Sequence, residues 1–470
     1  MTLRRFETPG IAHFAYLLGD GGEAAIVDPR RDVDVYLAAA QQEGLRITYV
    51  IETHRQEDFV MGAANLAARA GAKIVNGRHE LFGHGDLRLD DGETLSIGAV
   101  TLRALHTPGH TPESMSYAVF PAEHGRRAWG VFTGDALFFG DTGRTDLTDS
   151  SRARENAALL YDSVHRKLAP LGDGTLVLPA HGAGSVCGSG MAPRPLSTIG
   201  AERAYNAVFT LGREAFARKK GEERLPRPPY FRLMEEVNLR GGLPPARRPE
   251  DVPLVGPEAL ADRRDGELVL DARSPEAFAG AHIPGSLAVW MDGLPIFGGW
   301  VARRDTPLWL VLDRDADLEE ASLHLSRIGM DGVKGALAGG FSSWFVGGRP
   351  IERSGVISPR QLSSELDGAQ VLDVRDADEV RAGRIPGARH AYVGHLEERL
   401  DELQLDRERP VTVTCSVGNR AGLGVSILLR HGFEDVRNLL GGMKAWNALG
   451  LPTRKTSSPR QERAHGIATT

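Results

Sequence analysis

Cysteine is scarce in this sequence, because Cys187 and Cys415 are the only two among 470 residues. Two thiols that lie 228 positions apart (415 minus 187) exclude the disulfide framework that stabilises small secreted domains. A lone thiol is either a buried small side chain or a reactive nucleophile. Each cysteine must therefore be judged by the residues around it.

Long apolar runs and an excess of basic charge are also missing. No apolar run reaches the roughly 18 residues of a membrane span, and the first residues show no apolar core before a small-residue cleavage site. With a net charge of −6 and 25% charged residues, the chain has no large basic face for nucleic acid or anionic lipid. We expect a cytoplasmic protein that binds neither nucleic acid nor membranes.

Length and pattern predict several domains. At roughly 150 residues per domain, a chain of 470 residues should hold about three. Residues 1–235 alternate short β runs with helical patterns and predict a sandwich-like α/β domain. Residues 236–253 belong to a stretch, from about 222 to 256, that is dense in proline, arginine and glycine and predicts an extended linker. Residues 454–470 are polar and aperiodic, which predicts a disordered tail.

The rest of the chain repeats itself. LVLDARSPEAFAGAHIPGSL at 268–287 aligns without gaps with QVLDVRDADEVRAGRIPGAR at 370–389, at an offset of 102. The same offset matches the later residues Gly339 with Gly441, Gly340 with Gly442 and Trp344 with Trp446. Residues 254–352 and 357–453 are therefore predicted to be two copies of one α/β domain.

Candidate metal ligands stand at strand ends in the first domain. The segment ETHRQEDF, residues 52–59, directly follows the apolar run ITYVI. His110 in HTPGHT, Asp135 in VFTGD and His181 in LPAHG also lie where a β run ends in a turn. Because side chains of such loops can converge on one site, the ordered set predicts a metal centre.

This set resembles the metallo-β-lactamase superfamily, and the resemblance covers the whole first domain and implies an αββα sandwich. The superfamily motif T-H-x-H-x-D-H has histidines where this chain has Gln56 and Phe59. In two-metal members, seven positions form two sites that share an aspartate, so each substitution removes a ligand from one site. A phenyl ring has no lone pair to donate and an amide is a weak zinc ligand, which disfavours a two-zinc hydrolase.

Two imidazoles and one carboxylate remain, from His54, His110 and Asp135, and this is the facial set that holds non-haem Fe(II). The pattern resembles the persulfide dioxygenases (sulfur dioxygenases) of the superfamily. The resemblance implies one Fe(II) per chain on these residues. It also implies O₂ as co-substrate and the oxidation of low-molecular-weight persulfides, such as glutathione persulfide, to sulfite.

Further residues are expected to surround this centre without binding the metal, as hydrogen-bonding partners of the ligands: Gln56, Asp58, His181 and Cys187. For Cys187, which follows His181 in a glycine-rich loop, simple packing and a thiol that meets the persulfide both stay open. Arg144 lies in a G-R-T-D segment similar to that of sulfur dioxygenases and glyoxalase II. It is expected to brace the site loop or to face an anionic thiol substrate.

The last domain carries a candidate nucleophile. Cys415 ends the β run VTVTC, and a helix is predicted to begin near Ala421 after a short loop. Backbone N–H groups of such a loop, with the helix dipole, stabilise a thiolate and any sulfur bound to it. The residues of this cradle are Ser416, Val417, Gly418 and Asn419, with Arg420 beside them.

This loop resembles the rhodanese family (thiosulfate sulfurtransferases), whose C-x-x-G-x-R motif matches Cys415, Gly418 and Arg420. The resemblance implies a Cys415 persulfide that makes or uses thiosulfate. In the middle copy, the offset places Asp313 opposite Cys415, and a carboxylate cannot carry sulfane sulfur. The residues that follow are also acidic and would repel a sulfur anion, so we expect an inactive copy that spaces or docks the other domains.

Two other functions stay open. One is a zinc thioesterase of glyoxalase II type fused to a sulfurtransferase, and the other is a sulfur carrier or persulfide sensor whose first domain has lost oxidation through Gln56. Metal content and oxygen uptake separate them. We also expect a homo-oligomer, because superfamily relatives often form dimers or tetramers.

Overall fold

The computed structural model describes residues 1–455. Residues 456–470, nearly all of the predicted tail, lie outside the described part, so the prediction of disorder is not addressed there. Arg454, which the tail prediction included, pairs with Arg384 through backbone hydrogen bonds. The described residues form two compact units: Met1–Ala246 with Ser326–Gly329, and Arg247–Leu325 with residues 330–455.

The first unit contains two six-stranded sheets, ordered β1-β2-β3-β4-β5-β6 and β12-β11-β10-β9-β8-β7. The strands of the first sheet are β1 Thr2–Thr8, β2 His13–Asp20, β3 Glu23–Val27, β4 Arg46–Ile51, β5 Lys73–Gly77 and β6 Leu87–Leu89. Those of the second are β7 Thr94–Ile97, β8 Val100–His106, β9 Met115–Pro121, β10 Gly130–Gly134, β11 Leu176–Pro179 and β12 Ser197–Thr198. The α-helices are α1 Asp34–Gln42, α2 Ala63–Ala70, α3 Ala153–Ser163, α4 Ile199–Tyr205, α5 Ala207–Thr210, α6 Arg213–Gly221 and α7 Phe231–Asn238.

Strand β2 shows why the sheets stack as they do. Its residues Phe14, Tyr16 and Leu18 join the buried cluster that contains side chains of both sheets. The alternate residues Ala15 and Leu17 join a second cluster with side chains of α1 and α2. Because successive side chains of a strand point to opposite faces, β2 separates an inter-sheet core from a helix-covered face. This arrangement confirms the predicted αββα sandwich.

The expectation of a wholly extended linker is wrong at its N-terminal end. Helix α7 covers residues 231–238 of that stretch, and its side chains Phe231, Met234 and Asn238 are buried. The spacing of Phe231 and Met234 places both on one helix face. Burial of that face stabilises the helix in a region whose proline and glycine content indicated an extended chain.

The second unit contains two five-stranded parallel sheets with the same strand order, β13-β17-β16-β14-β15 and β18-β22-β21-β19-β20. The first copy has strands β13 Leu254–Val255, β14 Leu268–Asp271, β15 Leu287–Ala288, β16 Leu308–Val311 and β17 Val333–Leu337. Its helices are α8 Pro257–Ala261, α9 Pro275–Gly280, α10 Leu294–Val301, α11 Leu318–Arg327 and α12 Gly340–Val346.

The second copy has strands β18 Gly355–Ile357, β19 Gln370–Asp373, β20 Arg389–His390, β21 Val411–Thr414 and β22 Val436–Leu439. Its helices are α13 Pro359–Ser364, α14 Ala377–Ala382, α15 Leu396–Arg399, α16 Asn419–Arg430 and α17 Gly442–Ala448. The common strand order confirms that the α/β pattern is repeated, as the aligned sequences predicted.

Matched residues of the two copies make the same kinds of contact. Arg375 Nη2 donates to Asp373 at 2.6 Å, and Arg273 Nη2 donates to Asp271 at the same distance. Gly442 has a φ of 51°, and a side chain there would collide with the carbonyl oxygen of Cys415. The paired glycines therefore let helix α17 begin against the loop that carries the thiol.

The two copies pack on each other through helix α16. The backbone N–H of Ala288 donates to Ser426 Oγ at 3.0 Å. A Cβ added to Gly422 would lie 2.9 Å from Pro275 Cβ, so only a residue without a side chain fits this contact. Within residues 1–455, no helix combines the length and apolar character that crossing a membrane requires.

Candidate functional site

The loop after β4 is held in place by a residue from far along the chain. Asn238, at the end of α7, donates through Nδ2 to the carbonyl oxygens of Gln56 at 2.6 Å and Phe59 at 2.8 Å. Its Oδ1 accepts from the backbone N–H of Met61 at 2.9 Å. All these groups are buried, so one amide side chain fixes the second half of the motif segment, from Gln56 to Phe59. Sequence reasoning missed Asn238 because it lies in the predicted linker.

The structure brings together the three residues that the motifs singled out as ligands. The Oδ2 atom of Asp135 lies 3.3 Å from His110 Nε2 and 3.7 Å from His54 Nε2, and all three side chains are fully buried. Gly134 makes this approach feasible: it has a φ of 52°, and a Cβ there would lie 2.7 Å from Thr53 Oγ1. The end of β10 thus meets the loop after β4 in direct contact.

Hydrogen bonds orient both imidazole rings with Nε2 toward Asp135. His110 Nδ1 lies 2.8 Å from the carbonyl oxygen of Arg144, which can only accept, so Nδ1 carries the hydrogen. Thr53 Oγ1 donates to Asp28 Oδ2 at 2.7 Å and lies 2.9 Å from His54 Nδ1. The threonine oxygen is then the acceptor for His54. The neutral rings therefore present their Nε2 lone pairs to one point, as metal-binding histidines do.

Glu57 joins this cluster, although the motif assigns no ligand to its position. Its Oε2 lies 3.4 Å from His110 Nε2, and the ligand atoms of His54, Glu57 and His110 lie within 4.8 Å of one another. Burial raises the pKa of Glu57, but His110 and neighbouring cationic groups outweigh it and lower the pKa below its usual value. Its position between Gln56 and Asp58 was the available signal, since a carboxylate beside a ligand motif can reach the same site.

The cluster contains an unusual number of unpartnered polar atoms. Within the described part of the chain, hydrogen-bond partners are lacking for His54 Nε2, His110 Nε2, Asp135 Oδ2 and both carboxylate oxygens of Glu57. A buried polar atom without a partner costs about 1–3 kcal/mol. A divalent cation bound by these nitrogen and oxygen atoms would satisfy them together, so the residues fit a metal with imidazole and carboxylate ligands.

The surrounding charge affects the two histidines differently. Burial lowers the pKa of His54 to about 4. Burial also lowers the pKa of His110, but Glu57 and Asp135 outweigh it and raise that pKa to about 9. The two carboxylates therefore favour a positive charge at the His110 ring, which either a proton or a bound metal ion can supply.

The residues predicted to surround the ligands fall into two groups. Gln56 Nε2 lies 3.5 Å from His54 Nδ1, and His181 Nδ1 lies 2.8 Å from Asp135 Oδ1, so both contact expected ligands. Asp58 and Cys187 instead lie with His181 in a separate cluster, with ligand atoms within 4.8 Å of one another. Burial and then Asp58 raise the pKa of Cys187 well above its ordinary value.

Arg144 braces loops. Its Nε donates to Asp146 at 2.7 Å, and its Nη1 and Nη2 atoms donate to the carbonyl oxygens of Val186, Leu225 and Pro226. The side chain is fully buried. Of the two roles expected for Arg144, loop bracing is the one that these contacts support.

We predict that Asn238→Asp weakens metal binding. An aspartate keeps the acceptor for Met61 but cannot donate to the carbonyl oxygens of Gln56 and Phe59, so the loop that holds His54 should shift. Loss of such a supporting contact typically costs about 10–100-fold in metal affinity. The measurement is Fe(II) affinity by anaerobic titration. Asn447→Ala, at an exposed position, is the control, and equal affinities of the two variants would contradict the prediction.

A second candidate site lies at the end of β21. Cys415 is 1% exposed, and its Sγ accepts a hydrogen bond from the backbone N–H of Gly418 at 3.1 Å. Gly418 has a φ of 115°, a left-handed conformation that favours glycine. Helix α16 begins at Asn419, two residues before the predicted start. The expected strand, thiol, turn and helix are therefore all present.

The guanidinium of Arg420 pairs with the carboxylate of Glu379, so it does not lie free beside the thiol. Its Nη1 and Nη2 atoms donate to Glu379 Oε2 at 2.7 Å and Oε1 at 2.9 Å, and Nη2 also donates to Ser416 Oγ at 2.7 Å. Burial raises the pKa of Glu379, but the hydrogen bonds from Arg420 outweigh this and lower it strongly. Sequence reasoning missed Glu379. The available signal was that the middle copy has Ala277 at the same repeat position.

The middle copy differs at this loop. Asp313 is exposed, whereas Cys415 is buried. Asp315 Oδ1 accepts from the backbone N–H of Gly339 at 2.8 Å. Asp313 therefore faces solvent and Asp315 contacts the paired-glycine turn, where the last copy has its buried thiol.

Comparisons with known proteins agree with this division of the chain. The family model described as rhodanese-like domain matches residues 256–346 and 358–449, and the model described as metallo-beta-lactamase superfamily matches residues 8–181. The first two ranges fall within the predicted repeats at 254–352 and 357–453. The resemblances inferred from the motifs are confirmed at the level of these families.

Curated relatives and solved structures extend this comparison. The mitochondrial persulfide dioxygenase ETHE1 of Homo sapiens is 32% identical over 246 residues, which is 51% of this chain and 89% of that protein. A hydroxyacylglutathione hydrolase of Acidiphilium cryptum is 32% identical over 171 residues, 36% of this chain and 64% of that protein. The crystal structure of a metallo-beta-lactamase from Staphylococcus aureus has 29% identity and a TM-score of 0.65, and it covers 72% of this chain and 99% of its own.

Proposed function

The chain belongs to the metallo-β-lactamase superfamily and carries two rhodanese-like domains, and from that premise we propose that it is a non-haem Fe(II) persulfide dioxygenase coupled to sulfur transfer. The first domain oxidises the outer sulfur of a low-molecular-weight persulfide, such as glutathione persulfide, with O₂ to sulfite. The last domain transfers sulfane sulfur through Cys415. Homo-oligomer formation and a cytoplasmic location stay predictions.

One observation supports the oxidation step above others. The Nε2 atoms of His54 and His110 and the Oδ2 atom of Asp135 face one buried point without hydrogen-bond partners among residues 1–455. Fe(II) held by two imidazoles and one carboxylate supplies O₂ chemistry, since this set leaves coordination positions open. Thr53 and the Arg144 carbonyl hold the rings, and His181 Nδ1 donates to the other oxygen of Asp135.

Glu57 is proposed as a fourth donor at this centre. The motif histidine that Gln56 replaces would have supplied a donor to the same site as His54 and His110. The Glu57 carboxylate lies 3.4 Å from His110 Nε2, and it is fully buried. An anionic oxygen ligand suits Fe(II) better than an amide does, so Glu57 offsets the loss of the motif histidine.

We predict that Glu57→Gln weakens Fe(II) binding by at least about tenfold, because it removes an anionic donor whose oxygens have no hydrogen-bond partner within residues 1–455. Anaerobic Fe(II) titration checks this. Glu80→Gln is the matched control, since Glu80 is exposed in the same domain. If both variants bind Fe(II) equally well, Glu57 is not a ligand.

The sulfur-transfer step is proposed to use the product of oxidation. Sulfite attacks the outer sulfur of the Cys415 persulfide, the bond between the two sulfurs breaks, and Cys415 leaves as a thiolate while thiosulfate departs. The reverse reaction would load Cys415 from thiosulfate. The backbone N–H of Gly418, which donates to Sγ, stabilises the thiolate that leaves.

Glu379 is proposed to limit the attraction of the loop for anions, because it pairs with the guanidinium of Arg420. We predict that Glu379→Gln lowers the KM for thiosulfate severalfold, since the neutral amide leaves the charge of Arg420 available to a dianion. Initial rates at varied thiosulfate concentration check this. Glu434→Gln, at an exposed position of the same domain, is the control, and an unchanged or raised KM in Glu379→Gln would contradict the prediction.

The main experiment is anaerobic Fe(II) loading, followed by oxygen-electrode assays with glutathione persulfide. We expect about one iron per chain and oxygen uptake in the unchanged protein. Asp135→Ala should lower uptake by about 100-fold or more, because it removes a proposed ligand. Cys415→Ser should retain uptake and lose thiosulfate formation.

Other outcomes select the alternatives. Two zinc ions per chain, with no oxygen uptake after iron loading, would favour a hydrolase of glyoxalase II type. Iron binding without uptake, together with sulfur transfer at Cys415, would favour a sulfur carrier. Uptake that survives Asp135→Ala would place the oxidation elsewhere.

A further inference from the structure

A buried cation lies beside the proposed iron centre, in the same loop as His54. Arg55 occupies the first variable position of the motif T-H-x-H-x-D-H, to which the superfamily motif assigns no residue type. The residue is only 6% exposed. An arginine keeps its charge in a protein, and a buried charge is costly unless it has partners. The neighbours of Arg55 therefore indicate which groups its charge stabilises.

Two carboxylates face the guanidinium of Arg55. The Nε atom of Arg55 lies 3.6 Å from Glu57 Oε1 and 3.8 Å from Glu113 Oε1, and both glutamate side chains are fully buried. Burial lowers the pKa of Arg55, but Glu113 and Glu57 outweigh it and raise that pKa above its usual value. Because burial reduces screening by solvent, these charges interact more strongly than they would at the surface.

Glu113 connects the two loops that carry the proposed ligands His54 and His110. It lies three residues after His110, and its Oε1 accepts from the backbone N–H of Arg55 at 3.2 Å. The same oxygen faces the guanidinium of Arg55. One carboxylate therefore holds both the main chain and the side chain of Arg55.

Glu57 contacts Arg55 with one oxygen and the proposed centre with the other. Its Oε1 faces Arg55 Nε, whereas its Oε2 lies 3.4 Å from His110 Nε2. Neither oxygen has a hydrogen-bond partner within residues 1–455, so ionic contacts orient the carboxylate. Arg55 is thus placed to hold Glu57 and to offset its negative charge.

A third carboxylate near Arg55 has a cation of its own. Glu235, on α7, also raises the pKa of Arg55, but its Oε1 accepts from Arg227 Nη2 at 2.7 Å. The Glu235 side chain is 16% exposed, so solvent reaches it in part. Arg55 is therefore the cation that the two fully buried glutamates, Glu57 and Glu113, share.

We propose that Arg55 is a positioning residue that holds Glu57 toward the metal centre and, through its charge, keeps the bound iron ferrous. The inference rests on the proposed function, because it takes iron bound by His54, His110 and Asp135 as its premise. Loss of one electron adds one positive charge at the centre, and a neighbouring guanidinium opposes that change. The proposed O₂ chemistry requires Fe(II), so a residue that disfavours Fe(III) keeps the centre competent.

The test is the midpoint potential of the Fe(III)/Fe(II) couple in the full chain. It is measured by anaerobic redox titration, in which mediators accept or supply the electron, and is followed by the ferric EPR signal. Arg55→Met should lower the potential by about 60 mV or more, a tenfold change in the one-electron equilibrium constant. Arg55→Lys keeps the charge and should stay close to the unchanged protein. Arg126→Met, at an exposed position of the same domain, is the control.

Glu113→Gln tests the sign of the effect. It removes a negative charge from the same group, so it should raise the potential, opposite to Arg55→Met. A merely structural role of Arg55 predicts no such opposition. Thermal unfolding of each variant shows whether it folds, and Glu113→Gln against the unchanged protein decides the matter if Arg55→Met does not. Unchanged potentials, or shifts of Arg55→Met and Glu113→Gln in the same direction, overturn the proposal.

Oxygen uptake with glutathione persulfide is measured on the same samples, so that the two proposals fail separately. Potentials that shift as expected without oxygen uptake refute only the proposed oxidation. Oxygen uptake with unshifted potentials refutes only the role of Arg55.

Discussion

The site in the first domain depends on the contacts that one side chain, the carboxylate of Asp135, makes with three histidines. Its Oδ2 faces the Nε2 atoms of His54 and His110, and its Oδ1 accepts from His181. Burial raises the pKa of Asp135, but the three histidines outweigh it and hold the pKa well below the usual range. One buried carboxylate therefore contacts three imidazoles, and the left-handed turn at Gly134 makes its position possible.

Adjacent residues in the loop after β4 serve different clusters. Glu57 faces His110, whereas Asp58 faces His181. The two substitutions at Gln56 and Phe59 therefore do not leave the loop without donors, because the carboxylates between them reach both clusters. The site differs from the superfamily motif in composition, and it keeps enough anionic and imidazole atoms to bind cations. This composition supports the proposal of a different site over that of a degraded one.

The two rhodanese-like copies share one fold and its structural residues, but they differ at the residues proposed to react. Both keep the aspartate–arginine pair and the paired glycines that support the sheet and the last helix. Only the second copy has a thiol at the end of its central strand, together with Glu379 and Arg420 beside it. The first copy packs against α16 of the second through Ala288, which agrees with a supporting role for a domain that lacks the nucleophile.

The sequence by itself determined the fold class, the repeat, the residues His54, His110 and Asp135, and the Cys415 loop, because strand patterns and strand-end motifs are local signals. Only the tertiary structure showed the contacts of Glu57, Asn238 and Glu379, and the meeting of Asp58 with His181 and Cys187. Asn238 bonds to Gln56 across 182 positions, and no local pattern encodes such an approach. Distances between loops arise when the sheets pack, so the partners of a buried side chain become visible only in the folded chain.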